Sequence, residues 1–318
     1  HPLPQYHSIE GLFEQISAAV EKVRSVERLA LPKGGASPLS LFRNLRAVKA
    51  SPDNIYHITG DVNYMAFPLG KQAILTVHDV KSAIRGSYIK RQLMALLWFK
   101  WPAQRVKFIT VISEFSKQEL AALIPKQAYK IHVIPNAVAN HFQPQPYQFN
   151  KKQPRLLCMG TKPNKNLERL IESLKDLPCT LHIVGALTTK QKGLLEQNHI
   201  DYANNVRLTR AEIVTAYKNC DLLCFPSTYE GFGMPIIEAQ ATGRPVLTSH
   251  LDAMKEVAGD AACLVDPFDT NAIRVGIERI VSDEVYRAEL IAKGFKNVKR
   301  FQIETIAQKY IALYKQMD

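Results

Sequence analysis

Along the second half of the chain, short apolar runs alternate with segments of helical period. RLLCMG, TLHIVG, NVRLT, DLLCFPS, PVLTS and ACLVDP have the length of buried strands. Between them, NLERLIESLKDL, TKQKGLLEQNHI, RAEIVTAYKN, MPIIEAQATG and AIRVGIERIV carry apolar residues at helical spacing. Apolar strands that alternate with amphipathic helices predict βα units around a parallel sheet. Two further helices are predicted at the end, over EVYRAELIAKGFKNVKRF and IETIAQKYIALYKQM.

The first half has a looser version of the same rhythm. SIEGLFEQISAAVEKV is an amphipathic helix, and NIYHIT, QAILTVHD, KFITVIS and KIHVIPNAV are strands. SKQELAALI is a helix for which Ser116 is the expected N-cap. ANHFQPQPYQFNKKQP, with its prolines and polar residues, has the composition of an interdomain linker. The expected fold is α/β, with two Rossmann-like doubly wound domains over 1–145 and 146–318. The terminal helix is free to cross back to the first domain. Ligands of such sheets bind at the carboxyl ends of the strands, so a central cleft faced by both domains is the expected site.

Composition changes this picture little. The 318 residues are 46% hydrophobic and 22% charged, ordinary for a globular enzyme. No apolar run is long enough to span a membrane, and the start HPLPQYHSIEG lacks the shape of a signal peptide. Five scattered cysteines complete no zinc pattern and read as reduced core thiols, which places the chain in the cytoplasm. Charge matters more. The net charge is +12, and residues 1–150 hold 18 Lys and Arg against 9 Asp and Glu. Seven basic residues and no acid lie between Asp79 and Glu114, interleaved with Tyr88, Trp98, Phe99 and Trp101. This pattern over 81–107 suits peripheral contact with an anionic membrane at its inner face, rather than nucleic acid. A solvated basic helix with core aromatics is the plainer reading.

The stretch YEGFGMPIIEAQATGRPV, 229–246, poses a chemical question. A helix start near Gly233–Met234, with Pro235 in its first turn, leaves the amides of Phe232, Gly233 and Met234 free to meet an anion. Glu230 and Glu238 flank this point. Carboxylates repel phosphate, so hydroxyls are their natural partners. A sugar and a ribose joined by a diphosphate fit the order hydroxyl, phosphate, hydroxyl. A capped crossover helix with a solvated Glu230 and a salt-bridged Glu238 is the alternative.

EGFGMPIIEA followed by TGRPVLTS resembles the Glu-x7-Glu motif of retaining family 4 glycosyltransferases of GT-B fold. HVIPNAVANHFQP, MGTKPNKNLERLIESL, LHIVG, AYKNCDLLCFPS and VAGDAACLVDPFD follow that family's order, as do ILTVHD and ITVISEFSKQEL in the first half. The resemblance implies hexose transfer from a nucleotide-diphosphate sugar to a saccharide or lipid-linked saccharide acceptor, as in surface polysaccharide synthesis. GDP-mannose is the first donor expected, ahead of UDP-glucose and dTDP-rhamnose. It places Glu230 on the donor sugar, Glu238 on the ribose, and Lys165 on the diphosphate. His78 falls on the sugar from the first domain. Phe232, Gly233, Met234, Gly160, Thr161, Lys162 and Arg207 fall in the donor site. Taken singly, Lys165 reads as a solvated helix-start lysine and His78 as structural.

The chain departs from the family pattern in two places. Thr161 and Asn164 stand where many members have an arginine, leaving Lys162 as the substitute. The glycine-rich turn after a first strand is not visible; HPLPQYHSIEG begins where it is expected, as if that strand were missing. The implied mechanism is front-face transfer with retention, in which the protein positions groups and stabilises charge. No Asp-x-Asp occurs, so neither a cofactor nor an essential metal is expected. A non-catalytic nucleotide-sugar-binding protein, or a GT-B epimerase or phosphorylase, is the alternative function.

Overall fold

The computed structural model describes residues 7–32, 37–80 and 86–318. It divides into two compact units: residues 1–137 with 303–318, and residues 138–302. The division falls at Ala137 rather than after 145, and the C-terminal helix Ile303–Tyr314 belongs to the first unit.

The first unit is built on a parallel sheet of four strands: β1 Tyr56–Ile58, β2 Ala73–Val77, β3 Phe108–Val111 and β4 Ile131–Val133, in that spatial order. Every residue of β2 is buried, because both faces of the sheet are covered. Successive side chains of β2 enter different cores. Ala73, Leu75 and Val77 pack with Phe99, Val106 and Leu120. Ile74 packs with Leu12 and Ile16 of helix His7–Val20, and with Ile306 and Tyr310 of the terminal helix. The helix Glu114–Leu123 is capped one turn earlier than expected. Ser113, not Ser116, is the N-cap, and its Oγ accepts from the Ser116 amide at 3.0 Å.

The second unit holds a parallel sheet of six strands: β5 Arg155–Met159, β6 Thr180–Val184, β7 Asp201–Asn205, β8 Leu222–Phe225, β9 Val246–Ser249 and β10 Cys263–Val265. Their spatial order is β10-β9-β8-β5-β6-β7, so the chain reverses direction across the sheet between β5 and β8. NVRLT was expected as a strand, but pairing with β6 selects the preceding Asp201–Asn205. This is an edge strand, mostly exposed, which hides it from a reading of apolar runs. Thr209 instead starts the next helix, in a capping box with Glu212. All five cysteines are buried free thiols, as expected.

The expected linker is a strap on the second unit. The Arg244 guanidinium lies 3.5 Å from the Tyr147 ring centroid, and that of Arg287 lies 4.0 Å from Phe149. The buried Asp221 accepts from the Asn150 amide at 3.1 Å and from the Arg155 amide at 2.8 Å. Further along the strap, Phe142 meets the Tyr217 ring edge-on at 5.4 Å. Buried cation–aromatic pairs of this kind hold polar-looking segments that composition alone assigns to solvent.

Candidate active site

The reversal between β5 and β8 opens a crevice at the carboxyl ends of these strands. Two loops line it. After β5 the chain turns at Gly160, with φ of 98°, into the short turn Pro163–Lys165 and the helix Leu167–Ser173. After β8 it runs through Pro226–Gly231 to Gly233, with φ of 106°, which precedes the helix Met234–Ala241. Both glycines have positive φ, which side chains with a Cβ rarely adopt. At Gly160 a Cβ would also lie 3.0 Å from Lys165 Cγ and Cε, so the bare backbone gives Lys165 its path into the crevice.

Asparagines stitch the loops together. The Asn164 carbonyl accepts from the Thr228 amide at 2.8 Å. Its Nδ2 donates to the Tyr229 carbonyl at 3.0 Å and to Glu230 Oε1 at 3.2 Å. The buried Asn166, in a left-handed conformation, donates to the carbonyls of Pro226 at 3.0 Å and Pro267 at 2.6 Å. Lys165 Nζ donates to Glu230 Oε1 at 2.7 Å and stands 4.7 Å from the Phe225 ring centroid. The Lys165 and Glu230 side chains are only 19% and 16% exposed, so the pair is shielded yet within reach of a ligand.

Glu238 lies one turn into the helix. Tyr217, fully buried, donates its hydroxyl to Glu238 Oε2 at 2.6 Å. Burial lifts the Glu238 carboxyl to about 7, while the Tyr217 hydrogen bond and the Lys165 charge pull it down. Burial, then the neighbouring carboxylate, push the Tyr217 phenol well above its ordinary range. In the first turn Pro235 has no N–H and the Ile236 amide donates to the Gly233 carbonyl at 3.0 Å, which leaves the Met234 amide at the positive end of the helix. Phe232 is buried edge-on against Phe301 at 5.6 Å, which fixes the backbone just before it.

The remaining expected residues scatter. Thr161 Oγ1 donates to the Ala186 carbonyl at 2.7 Å, so it holds the loop. Lys162 is exposed and takes no part in the Lys165–Glu230 pair. Arg207 is exposed beyond β7, two strands from β5 at the sheet edge. In the first unit, His78 follows β2. Its Nε2 donates to the Thr59 carbonyl at 2.9 Å, which leaves Nδ1 as an acceptor, buried and without a partner among the described residues. Burial holds its pKa below the usual range, so the ring is neutral.

One cation, the positive end of a helix and two carboxylates therefore converge at the switch point of the second sheet. The arrangement can neutralise a diphosphate and accept hydrogen bonds from hydroxyls on either side. Sequence comparison agrees with this chemistry. Residues 6–140 match the family model described as Glycosyltransferase Family 4, and 140–297 match Glycosyl transferases group 1. The chain belongs to the family 4 glycosyltransferases. It is 28% identical over 308 residues to O-antigen chain mannosyltransferase B of Escherichia coli, an alignment that covers 86% of this chain and 77% of that one. Sucrose-phosphate synthase from Thermosynechococcus elongatus has a similar structure, with a TM-score of 0.78 at 20% identity over 98% of this chain and 93% of that one. Anabaena HepE in complex with UDP and glucose superposes with a TM-score of 0.69 at 18% identity, over 83% and 78% of the two chains. These similarities establish the GT-B fold of the glycosyltransferase.

Three residues of the glycosyltransferase's site were not legible beforehand. Asn164 appeared only as a departure from an arginine, yet it binds Glu230 directly. Asn166 joins the loops after β5, β8 and β10. Tyr217 lies in an ordinary helical pattern, and no sequence signal aims its hydroxyl at Glu238.

Proposed function

We propose that the glycosyltransferase moves mannose from GDP-mannose, with retention, to a saccharide or lipid-linked saccharide acceptor in surface polysaccharide synthesis. The observation that carries this reading is the convergence of Lys165, Glu230 and Glu238 at the switch point. The mannosyltransferase relative supports the sugar. Lys165 leaves Glu230 for the donor diphosphate, and the start of helix Met234–Ala241 adds its Met234 amide. Glu230 is then free to accept from sugar hydroxyls, Glu238 from the ribose, and His78 Nδ1 from a further sugar hydroxyl. The bond from the anomeric carbon to phosphate breaks through an oxocarbenium-like state. The acceptor oxygen bonds on the same face, and its proton passes to the departing phosphate oxygen. The reading gives charge stabilisation to Lys165 and the helix start and assigns no divalent metal, so transfer should survive chelation. It also includes peripheral contact with an anionic membrane from the first unit.

Thermal denaturation against a panel of GDP, UDP, dTDP and their sugars tests the donor. At a hundred times its dissociation constant a ligand adds about 2.7 kcal/mol. GDP and GDP-mannose should raise the melting temperature, and Glu238→Ala should abolish the rise. A rise with UDP alone would overturn the choice of donor. No rise with any nucleotide, for folded protein, would overturn the site.

A further inference from the structure

We infer that one outer face of the first unit, made by helix Pro38–Ala47 and by the helical run from Tyr88 to Arg105, docks on an anionic bilayer. The inference rests on the membrane contact proposed above and deepens it by naming the surface. It is independent of the donor.

The expected stretch 81–107 supplies only part of this face. Residues 81–85 lie outside the described residues. Of the aromatics beyond them, Phe99 is buried in the core, and Trp98 turns its Nε1 to Asp61 at 2.7 Å. The exposed apolar side chains of the run are Tyr88, Ile89 and Leu93, each more than half exposed, with Trp101 partly so. Lys90 and Arg91 stand among the first three, exposed as well.

The second helix was not anticipated. Leu41, Leu45 and the following Val48 pack on the core, and the buried Asn44 donates to the Tyr64 hydroxyl at 2.9 Å. The opposite stripe is Leu39, Phe42, Arg43 and Arg46, at the spacing of one helix face. Leu39 and Phe42 are more than half exposed, and the Arg46 guanidinium covers the Phe42 ring at 4.5 Å. Tyr64, which receives Asn44, also packs on Trp98 at 5.8 Å. The short segment 63–69 therefore joins the two helices in one layer.

A helix on a water-facing surface turns polar residues outward. Here both helices turn large apolar and aromatic residues outward, and each surrounds them with cations. Neither Pro38–Ala47 nor 86–107 contains an acidic residue. An anionic bilayer satisfies both halves of this pattern. Apolar side chains enter the boundary between headgroups and acyl chains, and the cations meet lipid phosphates. Among the described residues no helix is long and apolar enough to cross a membrane.

Flotation of the full chain with vesicles of equal parts phosphatidylcholine and phosphatidylglycerol tests the face. Binding should occur at low salt, weaken at high salt, and be absent on pure phosphatidylcholine. Each cation at such a surface contributes about fivefold in affinity, so Arg43→Gln with Arg46→Gln should cost roughly 25-fold. Lys90→Gln with Arg91→Gln should act alike. Phe42→Ser should weaken binding without removing its salt dependence. All variants should keep the nucleotide-induced melting shift, which shows them folded. No binding by the wild type would overturn the membrane contact itself. Wild-type binding that the variants leave unchanged would overturn this surface alone. Self-association that Phe42→Ser abolishes, with no flotation, would make the face an interface between copies and overturn the proposal.

Discussion

The two sheets are both parallel and both covered on each face, yet they handle polar residues differently. In the second unit the strand order reverses between β5 and β8, and the charged residues gather at the reversal. In the first unit the described strands run in sequence, β1 to β4, and no reversal opens a crevice. Its interior polar groups close on one another: Tyr314 hydroxyl to His57 Nδ1 at 2.7 Å, His57 Nε2 to Thr76 at 2.7 Å, and Thr76 to Thr110 at 2.6 Å. Burial, with the neighbouring His78, pushes the His57 ring down to about 3, so it stays neutral and structural. Among the described residues of this unit, His78 Nδ1 is the buried side-chain atom left over. The lesson is topological: a sheet that reverses can host a charged site in its crevice, whereas one that does not offers a single side chain and its outer faces.

The largest expected effect follows from this contrast. Lys165→Ala removes the cation paired with Glu230, the group proposed to meet the donor diphosphate. Loss of a preorganised stabiliser of this kind costs about 10²–10³ in rate, read as kcat/KM for transfer. His78→Ala would remove the neutral hydrogen bond proposed to the sugar and should cost only about tenfold. A His78 effect equal to that of Lys165 would break the comparison and give the first unit a central role in the chemistry.

Asn164 comes next. Its Nδ2 binds both Glu230 and the Tyr229 carbonyl. Asn164→Ala leaves Glu230 held by Lys165 alone, and once Lys165 engages the diphosphate, by nothing. We expect kcat to fall roughly tenfold, the value of about 1.4 kcal/mol, with KM for the donor little changed. Asn164→Asp should be worse, because two carboxylates then face each other. A change in KM alone would reassign Asn164 to ground-state binding.

A smaller effect concerns pH. Burial raises the Glu238 carboxyl from its ordinary 4.5 to about 7 in the folded protein. Between these values the folded state holds more protons than the unfolded one, so this group's contribution to stability is present below about 4.5 and lost as pH rises through about 7. Nucleotide affinity should run the other way, since in the proposed site only the carboxylate form of Glu238 can accept from both ribose hydroxyls. Affinity should therefore rise as pH passes 7, and Glu238→Gln should remove that rise. In Tyr217→Phe the hydroxyl that favours the carboxylate is gone, so the rise should move to higher pH. A profile that Tyr217→Phe leaves in place would show that Tyr217 only packs.

These residues also mark how far the sequence could be read. The helix start at Gly233–Met234 follows from local pattern, since proline, glycine and strand ends are local signals; Lys165 was placed in the site by resemblance, and its pairing with Glu230, 65 residues away, was not foreseen. Asn164 and Tyr217 act across 66 and 21 residues of sequence. Their partners depend on strand order, which periodicity does not encode. β7 was missed because an exposed edge strand lacks the apolar run that signals its buried neighbours. The strap was misread for the opposite reason: its prolines and polar residues resemble a linker, and only the fold supplies Arg244 and Arg287 as lids for Tyr147 and Phe149.

That strap gives the last and smallest test of the contrast, because it ties structure outside the crevice to a group inside it. Tyr147 is stacked on Arg244, whose Nη2 donates to the Lys218 carbonyl at 2.6 Å, next to Tyr217. Phe142 of the same strap meets the Tyr217 ring itself. Tyr147→Leu keeps the apolar contact and removes the face that Arg244 needs, a loss of about 1 kcal/mol. The melting temperature should fall by about 2–4 °C for a unit of this size. If the strap merely covers the sheet, nucleotide affinity will be unchanged. If it also seats Tyr217, affinity will fall with the melting temperature, and Phe142→Leu will reproduce the fall while leaving the Arg244 stack intact. The second outcome is the one we expect, since Tyr217 touches Phe142 of the strap on one side and Glu238 on the other.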